Sequence, residues 1–386
     1  MIEYVEIKDK STKNLLGIID TAKSIIWQAV YYGVGEFEIY TAATEKALNL
    51  LKIGNLVTRK NDINCGIINS LEILENPQDG RMIIARGQFA KSILNRRIIY
   101  KFADNYSVTA QILSGNVAEA CWNLIQNNCG FGAPVNRRFP YFSMSNINYL
   151  PATIVDENGN PAEKQVTYDN LLDYTDALLQ EYKYGSYVWL DNITKEFLYV
   201  MYSGIDRTKG NTSGNKPLIF SKEFDNLSGS TYTYSDENFK TTAIIGGEGE
   251  GLERFVTQKG DGYSGYERRE MFVDASGISK TVKEDEGDEK VYTDSEYSSM
   301  LIQKSNEDFE NYKSIESFTG EIDLTNSKLK YGQSMADDYY LGDLVTIEDK
   351  YINKLVNVRI LSVTEVQDDN GYNISLEYGM DGDSVG

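Results

Sequence analysis

The chain has 386 residues, with 38 Lys and Arg against 58 Asp and Glu, a formal net charge of −20 and no histidine. That length suggests two or three domains, and the negative field argues against a protein that grips nucleic acid by neutralising phosphates. The lack of histidine removes Ser-His-Asp and Cys-His catalysis, His-ligated zinc and the commonest general base at neutral pH.

The first hundred residues read as short strands: Tyr4–Ile7, Leu15–Ile19 and Glu36–Tyr40, with turn formers at Gly33 and Gly35. A hairpin follows, Ile67–Leu74 and Met82–Ala85 about Asn76-Pro77-Gln78-Asp79-Gly80, and one short helix near Thr44–Leu51 interrupts the series. The middle is helical and mixed. Asn116 with Glu119 forms a capping-box pattern ahead of Val117, Cys121, Leu124 and Ile125 on one face. A second helix carries Leu171, Leu172, Thr175, Leu178, Leu179 and Tyr182, with Gly185 expected to close it. A hairpin, Ser186–Leu190 and Glu196–Tyr202, completes an α+β module whose core Trp122 and Trp189 serve. From Ile205 strands return at Lys216–Phe220, Thr231–Tyr234 and Thr242–Ile245. A charged, solvated loop over 283–290, a helix near 295–312 and strands from Ser317 to Tyr378 follow.

One internal comparison outweighs any local motif. Ile53-Gly54-Asn55-Leu56-Val57-Thr58 is repeated as Leu341-Gly342-Asp343-Leu344-Val345-Thr346. Downstream, Ile68 to Gly87 and Ile360 to Gly379 each hold strand, Gly-containing turn and strand; upstream, Phe37-Glu38-Ile39 answers Gly320-Glu321-Ile322-Asp323-Leu324. The fold class is therefore mainly β with an α+β insertion: two related antiparallel β-barrel domains, 1–102 and 206–386, flank the α+β module 103–205, and the second carries a helical insertion near 295–312. Three copies of such a chain present six similar units about an axis, which predicts a homotrimer matching threefold to sixfold symmetry.

The chain resembles the tail hub proteins of long-tailed phages and prophages. The resemblance rests on Gly87 followed by Ser92-Ile93-Leu94-Asn95-Arg96-Arg97-Ile98-Ile99, on Gly246-Gly247-Glu248-Gly249-Glu250-Gly251 with Arg254, on Leu341-Gly342-Asp343-Leu344-Val345 and on Tyr372–Gly379. It implies tube-like barrels in a trimeric ring that joins the sixfold tail tube to the threefold tip on the route of the genome. It also implies a place in the virion tail tip or baseplate after assembly in the host cytoplasm. The implied neighbours are a distal tail protein or tube ring, a tape-measure protein and a tail-tip spike or fibre, with DNA passing through without tight binding. The peptidoglycan-cleaving and receptor-binding modules of many relatives lie in a C-terminal extension, and this chain stops soon after the second barrel.

The remaining motifs add no chemistry. Gly247, Gly249 and Gly251 lack a following Lys-Ser/Thr and stand beside two glutamates, so a strand-end turn with Arg254 on a carboxylate is expected, not a phosphate loop. Arg96-Arg97 is read as an ion pair at a subunit contact in preference to a nucleic-acid contact, and Asp156–Asn160 as a hairpin loop without EF-hand spacing. Cys65, Cys121 and Cys129 form no zinc pattern, and their odd number points to a reduced compartment. Neither a signal peptide nor an apolar run of spanning length is expected. No cofactor, metal or enzymatic activity is expected; the competing readings are a carboxylate-dependent cell-wall hydrolase and a receptor- or carbohydrate-binding tip protein. Gly54, Gly87 and Gly342 are the structural glycines of the repeat.

Overall fold

The computed structural model describes residues 2–77, 80–102, 108–145, 150–156, 159–227, 229–260, 262–283, 289–321, 329–332, 338–351 and 353–380. The expected turn at 76–80, the loops at 156–160 and 283–290 and the segment 322–324 lie partly or wholly outside the described residues.

The first copy of the repeat starts with β1 (Val5–Lys8), β2 (Leu15–Ile19), β3 (Ala22–Val30) and β4 (Glu36–Ala42). In β3 and β4 alternate side chains, Ile25, Trp27 and Ala29 against Phe37 and Ile39, enter the core, as a half-buried pleat requires. Thr44 then opens helix α1 (Glu45–Leu50) by accepting the Ala47 N–H at 3.1 Å. The copy ends with β5 (Leu56–Thr58), β6 (Cys65–Asn76) and β7 (Gly80–Phe89). Side by side these strands run β3-β4-β7-β6-β5-β1-β2.

The second copy repeats the arrangement. Its strands Gly229–Ser235, Ile315–Glu321, Gly371–Met380, Lys354–Asp368 and Leu344–Asp349 lie in that order, matching β3-β4-β7-β6-β5. The correspondence reaches single hydrogen bonds. Gly54 N–H donates to Ile68 C=O at 2.8 Å and Gly342 N–H to Ile360 C=O at 2.9 Å; the return bonds, Ile68 to Asn55 and Ile360 to Asp343, are both 3.0 Å. Each long strand then bulges at the same point, between Ile68 and Ser70 and between Ile360 and Ser362. The glycines downstream are one residue out of step: Gly87 faces Ile68, whereas Ile360 faces Tyr378 and Gly379 faces Arg359.

The copies do not form two separate closed barrels. Ser362–Gln367 pairs antiparallel with Ile25–Val30, so both belong to one open sheet, 13-stranded among the described residues. Only Lys354–Arg359 pairs with Leu344–Asp349; along the rest of that edge the N–H and C=O groups of Ser362–Gln367 are paired by β3 of the other copy. One core follows, in which Trp27, Ile39 and Ile68 join Phe220, Val345, Ile360 and Tyr378.

The α+β module has a second core, which Ala90, Ile93, Leu94 and Ile99 join together with Leu56, Cys65 and Ile67 of the first copy. Helices α2 (Val117–Cys129) and α3 (Leu171–Glu181) are each opened by an asparagine: the Asn116 side chain accepts from Ala118 and Glu119, and Asn170 from Leu172 and Asp173. Gly185 does not close α3. Tyr182 caps it, Lys183 takes the left-handed turn, and Gly185 begins the strand Gly185–Leu190, which pairs with Phe197–Tyr202.

The insertion in the second copy is larger than one helix. Where Tyr31–Gly35 joins β3 to β4, residues 236–314 join the equivalent strands. They build a third core of Ala243, Ile245 and Val273 beneath Tyr297 and Leu301 of α4 (Asp294–Glu310). Thr293 and Glu296 close a capping box at its start. The insertion rests on the module, where Lys290 and Tyr292 donate to Glu163 at 3.0 and 2.8 Å.

Candidate assembly interface

Tyr31, directly after β3, joins all three parts of the chain. Its ring is 1% exposed and its hydroxyl donates to Lys183 C=O at 2.9 Å. A Cβ at Gly185 would lie 2.3 Å from this ring and one at Gly342 2.2 Å, so glycine is required on both sides. Gly342 also has φ +93°, as Gly54 has +87° in the first copy, but Gly54 faces only the flexible Lys10 side chain.

The repeat differs by one charge. Asn55 donates to Leu50 C=O at 2.9 Å, whereas Asp343 accepts from Ile205 N–H and Arg207 Nε, both at 2.8 Å, and from Tyr340 N–H at 3.0 Å. Asp343 is wholly buried, and burial raises its pKa against these donors.

The strand joint carries a second ionic lock. Arg59, from the loop after β5, bonds Asp62 and reaches across to Glu365 at 2.6 Å, with its guanidinium 4.7 Å from the Trp27 ring centroid. Burial disfavours its charge, but Asp62 and Glu365 outweigh that and hold its pKa above the ordinary value. Tyr372 donates to the same Glu365, and burial followed by that carboxylate pushes its phenol pKa up. A polar cleft of about 390 Å³ opens beside this network.

The same two kinds of edge recur with nothing on them. By the hydrogen-bond register, Ser70–Glu75 of β6 corresponds to Ser362–Gln367, and Ser230–Ser235 corresponds to Ile25–Val30. Among the described residues, neither has a partner on that side. Burial records the difference: Ser362, Val363 and Glu365 are buried, while Ser70, Glu72 and Ile73 are exposed, as are Thr233 and Tyr234 opposite. The edge Gly229–Ser235 carries no charge or proline, the usual protections of an edge exposed to solvent.

The residues singled out in the sequence fall in separate places. Gly54 and Gly342 form the repeated turns, and Gly87 lies in β7, where a Cβ would meet Ile67 C=O at 1.9 Å. Gly247 sits under Tyr297 of α4, Gly249 and Gly251 take positive φ, and Arg254 bonds Gly246, Gly247 and Asp274 within the insertion. Arg96 and Arg97 lie on the α+β module; Arg97 donates to Arg137 C=O and its guanidinium is 4.2 Å from the Phe139 ring centroid. Sequence reading passed over Tyr31, Arg59, Glu365 and the strand Ala22–Val30, whose alternation Ile26 interrupts.

The chemical groups are quiet. The three cysteines are unpaired and buried, and burial pushes the Cys65 and Cys121 thiols up to about 12. Among the described residues no group of three or more Cys, Asp or Glu is placed to hold a metal ion, and no helix is long and apolar enough to cross a membrane.

The fold of this chain is shared with two solved tail proteins. The chain superposes on the tail protein of Neisseria meningitidis MC58 with TM-score 0.54 at 12% identity, covering 98% of this chain and 97% of that one. The prophage MuSo2 43 kDa tail protein of Shewanella oneidensis gives TM-score 0.54 and 12% identity, covering 98% of each. Residues 4–380 match the description Siphovirus ReqiPepy6 Gp37-like protein, and the chain belongs to that family. No curated protein gives a significant sequence match.

Proposed function

We propose that this chain is a structural hub of the tail tip: three copies close a ring that joins the sixfold tail tube to a threefold tip and lets DNA through. The observation that carries this reading is the pair of open edges equivalent to the covered joint. Repeating the joint from chain to chain places Ser70–Glu75 of one chain along Ser230–Ser235 of the next. This is a head-to-tail contact, which closes when its rotation divides a circle. Three chains with two units each give six positions, and the ring buries both of these open edges. A tube ring on one side and a spike or fibre on the other are the neighbours such a ring requires. The net charge of −20 supports a conduit that DNA does not stick to, because basic contacts hold DNA through counterion release.

The role is mechanical and not catalytic. The lack of histidine and the raised thiol pKa values at Cys65 and Cys121 support this. Electron microscopy of the assembled protein tests the proposal: rings of three chains with pseudo-sixfold order support it, and a stable dimer or a ring without that order refutes it. Duplex DNA should bind weakly even at low salt, and tight salt-sensitive binding would refute the conduit while leaving the ring standing.

A further inference from the structure

Several buried cations in this acidic chain meet a carboxylate: Lys91 meets Asp176, Lys164 meets Glu181 and Arg207 meets Asp343, each at 2.8 Å. One group of four arginines does not. The fold brings Arg96-Arg97, after β7, against Arg137-Arg138, in the loop after α2, through the bond from Arg97 to Arg137 C=O. Among the described residues none of these four forms an ion pair with a carboxylate. They are held by neutral groups instead. Arg97 stacks on Phe139, and Arg138 donates to Ala133 C=O at 2.7 Å. Arg137 lies 3.9 Å from the Tyr100 ring centroid and donates to Ile98 C=O and Asn128. Arg137 is 8% exposed, and among the described residues its Nη1 has no hydrogen-bond partner. Burial, and then Arg97 beside it, lower its pKa. A cluster of like charges with an unmet buried donor costs stability in the free protein.

The surroundings suggest what would offset that cost. The same loop exposes Phe131 and Val135, 81% and 80% accessible, beside Arg138. Exposed aromatic and arginine side chains together are characteristic of the centre of a protein-binding surface, and Val135 adds apolar area beside them. A nucleic-acid backbone would use the arginines but leave the apolar pair uncovered, and the field of a −20 chain repels it at long range.

From this geometry we infer that Arg96, Arg97, Arg137 and Arg138, with Phe131 and Val135, form a docking site for a carboxylate-rich segment of another protein that carries apolar side chains. The site is independent of the open strand edges.

The test uses a fluorescent ten-residue peptide of glutamates with two phenylalanines, its lysine counterpart, a 20-base-pair DNA duplex and inorganic phosphate, all on the full chain at low salt. The acidic peptide should bind in preference to the others and weaken with salt. Arg96→Glu with Arg138→Glu, both exposed side chains, should weaken it at least tenfold. Lys10→Glu with Lys222→Glu, an equal charge change at exposed positions elsewhere, should leave it within about twofold. Phe131→Ala should weaken the Phe-containing peptide more than an all-glutamate one. The Arg96→Glu, Arg138→Glu protein should still form rings, so failure here is distinguishable from failure of the ring. Equal loss in both charge variants, tighter binding of DNA, or binding of phosphate without the peptide would each overturn the inference.

Discussion

The two copies of the repeat share a turn, a bulge and a strand order, yet they are stabilised differently. In the first, Gly54 stands in an open turn, Asn55 is neutral and five residues join β3 to β4. In the second, Gly342 is pressed against Tyr31, Asp343 is ion-paired to Arg207, and residues 236–314 occupy the same hairpin position. What is kept is the backbone geometry that lets one unit sit beside the next. What has diverged is the side-chain chemistry that fixes the second copy to the rest of the chain.

That contrast can be broken most forcefully at the glycines. Gly342→Ala combines a positive φ with a contact 2.2 Å from the Tyr31 ring, and should cost about 3–5 kcal/mol in denaturant unfolding. Gly54→Ala, with the same backbone but only Lys10 nearby, should cost about 1–2 kcal/mol. Equal losses would show that Tyr31 is not the difference. Asp343→Asn removes the carboxylate charge that faces buried Arg207 and should cost about 3 kcal/mol. Replacing both as Asp343→Asn, Arg207→Met should recover much of it. Tyr31→Phe keeps the ring and removes the bond to Lys183, for about 1–2 kcal/mol.

Smaller effects sharpen the edge comparison. Thr233 of one chain would face Glu72 of the next, so Thr233→Glu should weaken ring assembly by roughly twofold to fivefold per joint, and Thr233→Lys should strengthen it. Monomer melting should not change in either. Sedimentation at several concentrations checks both signs. The smallest effect concerns α4. The Thr293 N–H and hydroxyl hold the Glu296 carboxyl below its ordinary 4.5. Its contribution to the helix is therefore complete above pH 4.5 and is lost as pH falls through the lowered value. Carbon-detected titration of Glu296 beside exchange of the α4 amides reads this directly.

Much of the fold was legible because it depends on short-range chemistry. The hexapeptide repeat is visible since a tight turn into a strand needs Gly54 and Gly342 at φ > 0, followed by residues that fit a pleat. The helices announced themselves through Asn116 in the first and the apolar faces of both; the Asn170 cap of the second was passed over. What escaped was long-range. Nothing near Gly185 says that its bare backbone is there for Tyr31, and nothing near Ile25–Val30 says that Ser362–Gln367 will cover it. Ile26 breaks the alternation of β3 on a face that is only half-covered. The arginine cluster was half visible, as Arg96-Arg97. Its other half lies forty residues on, and only the folded module brings the two together.

Cysteine cross-linking tests the central claim most directly. Gln28→Cys with Thr364→Cys, at the covered joint, should form a disulfide within one chain, since facing residues there are in strand register. Glu72→Cys with Thr233→Cys, at the equivalent open edges, should form none within a chain. It should instead link each chain to the next, giving covalent dimers and trimers and nothing larger on a non-reducing gel. The native cysteines are buried and should not compete. Efficient linkage at the first pair, with none at the second in assembled rings, would contradict the account.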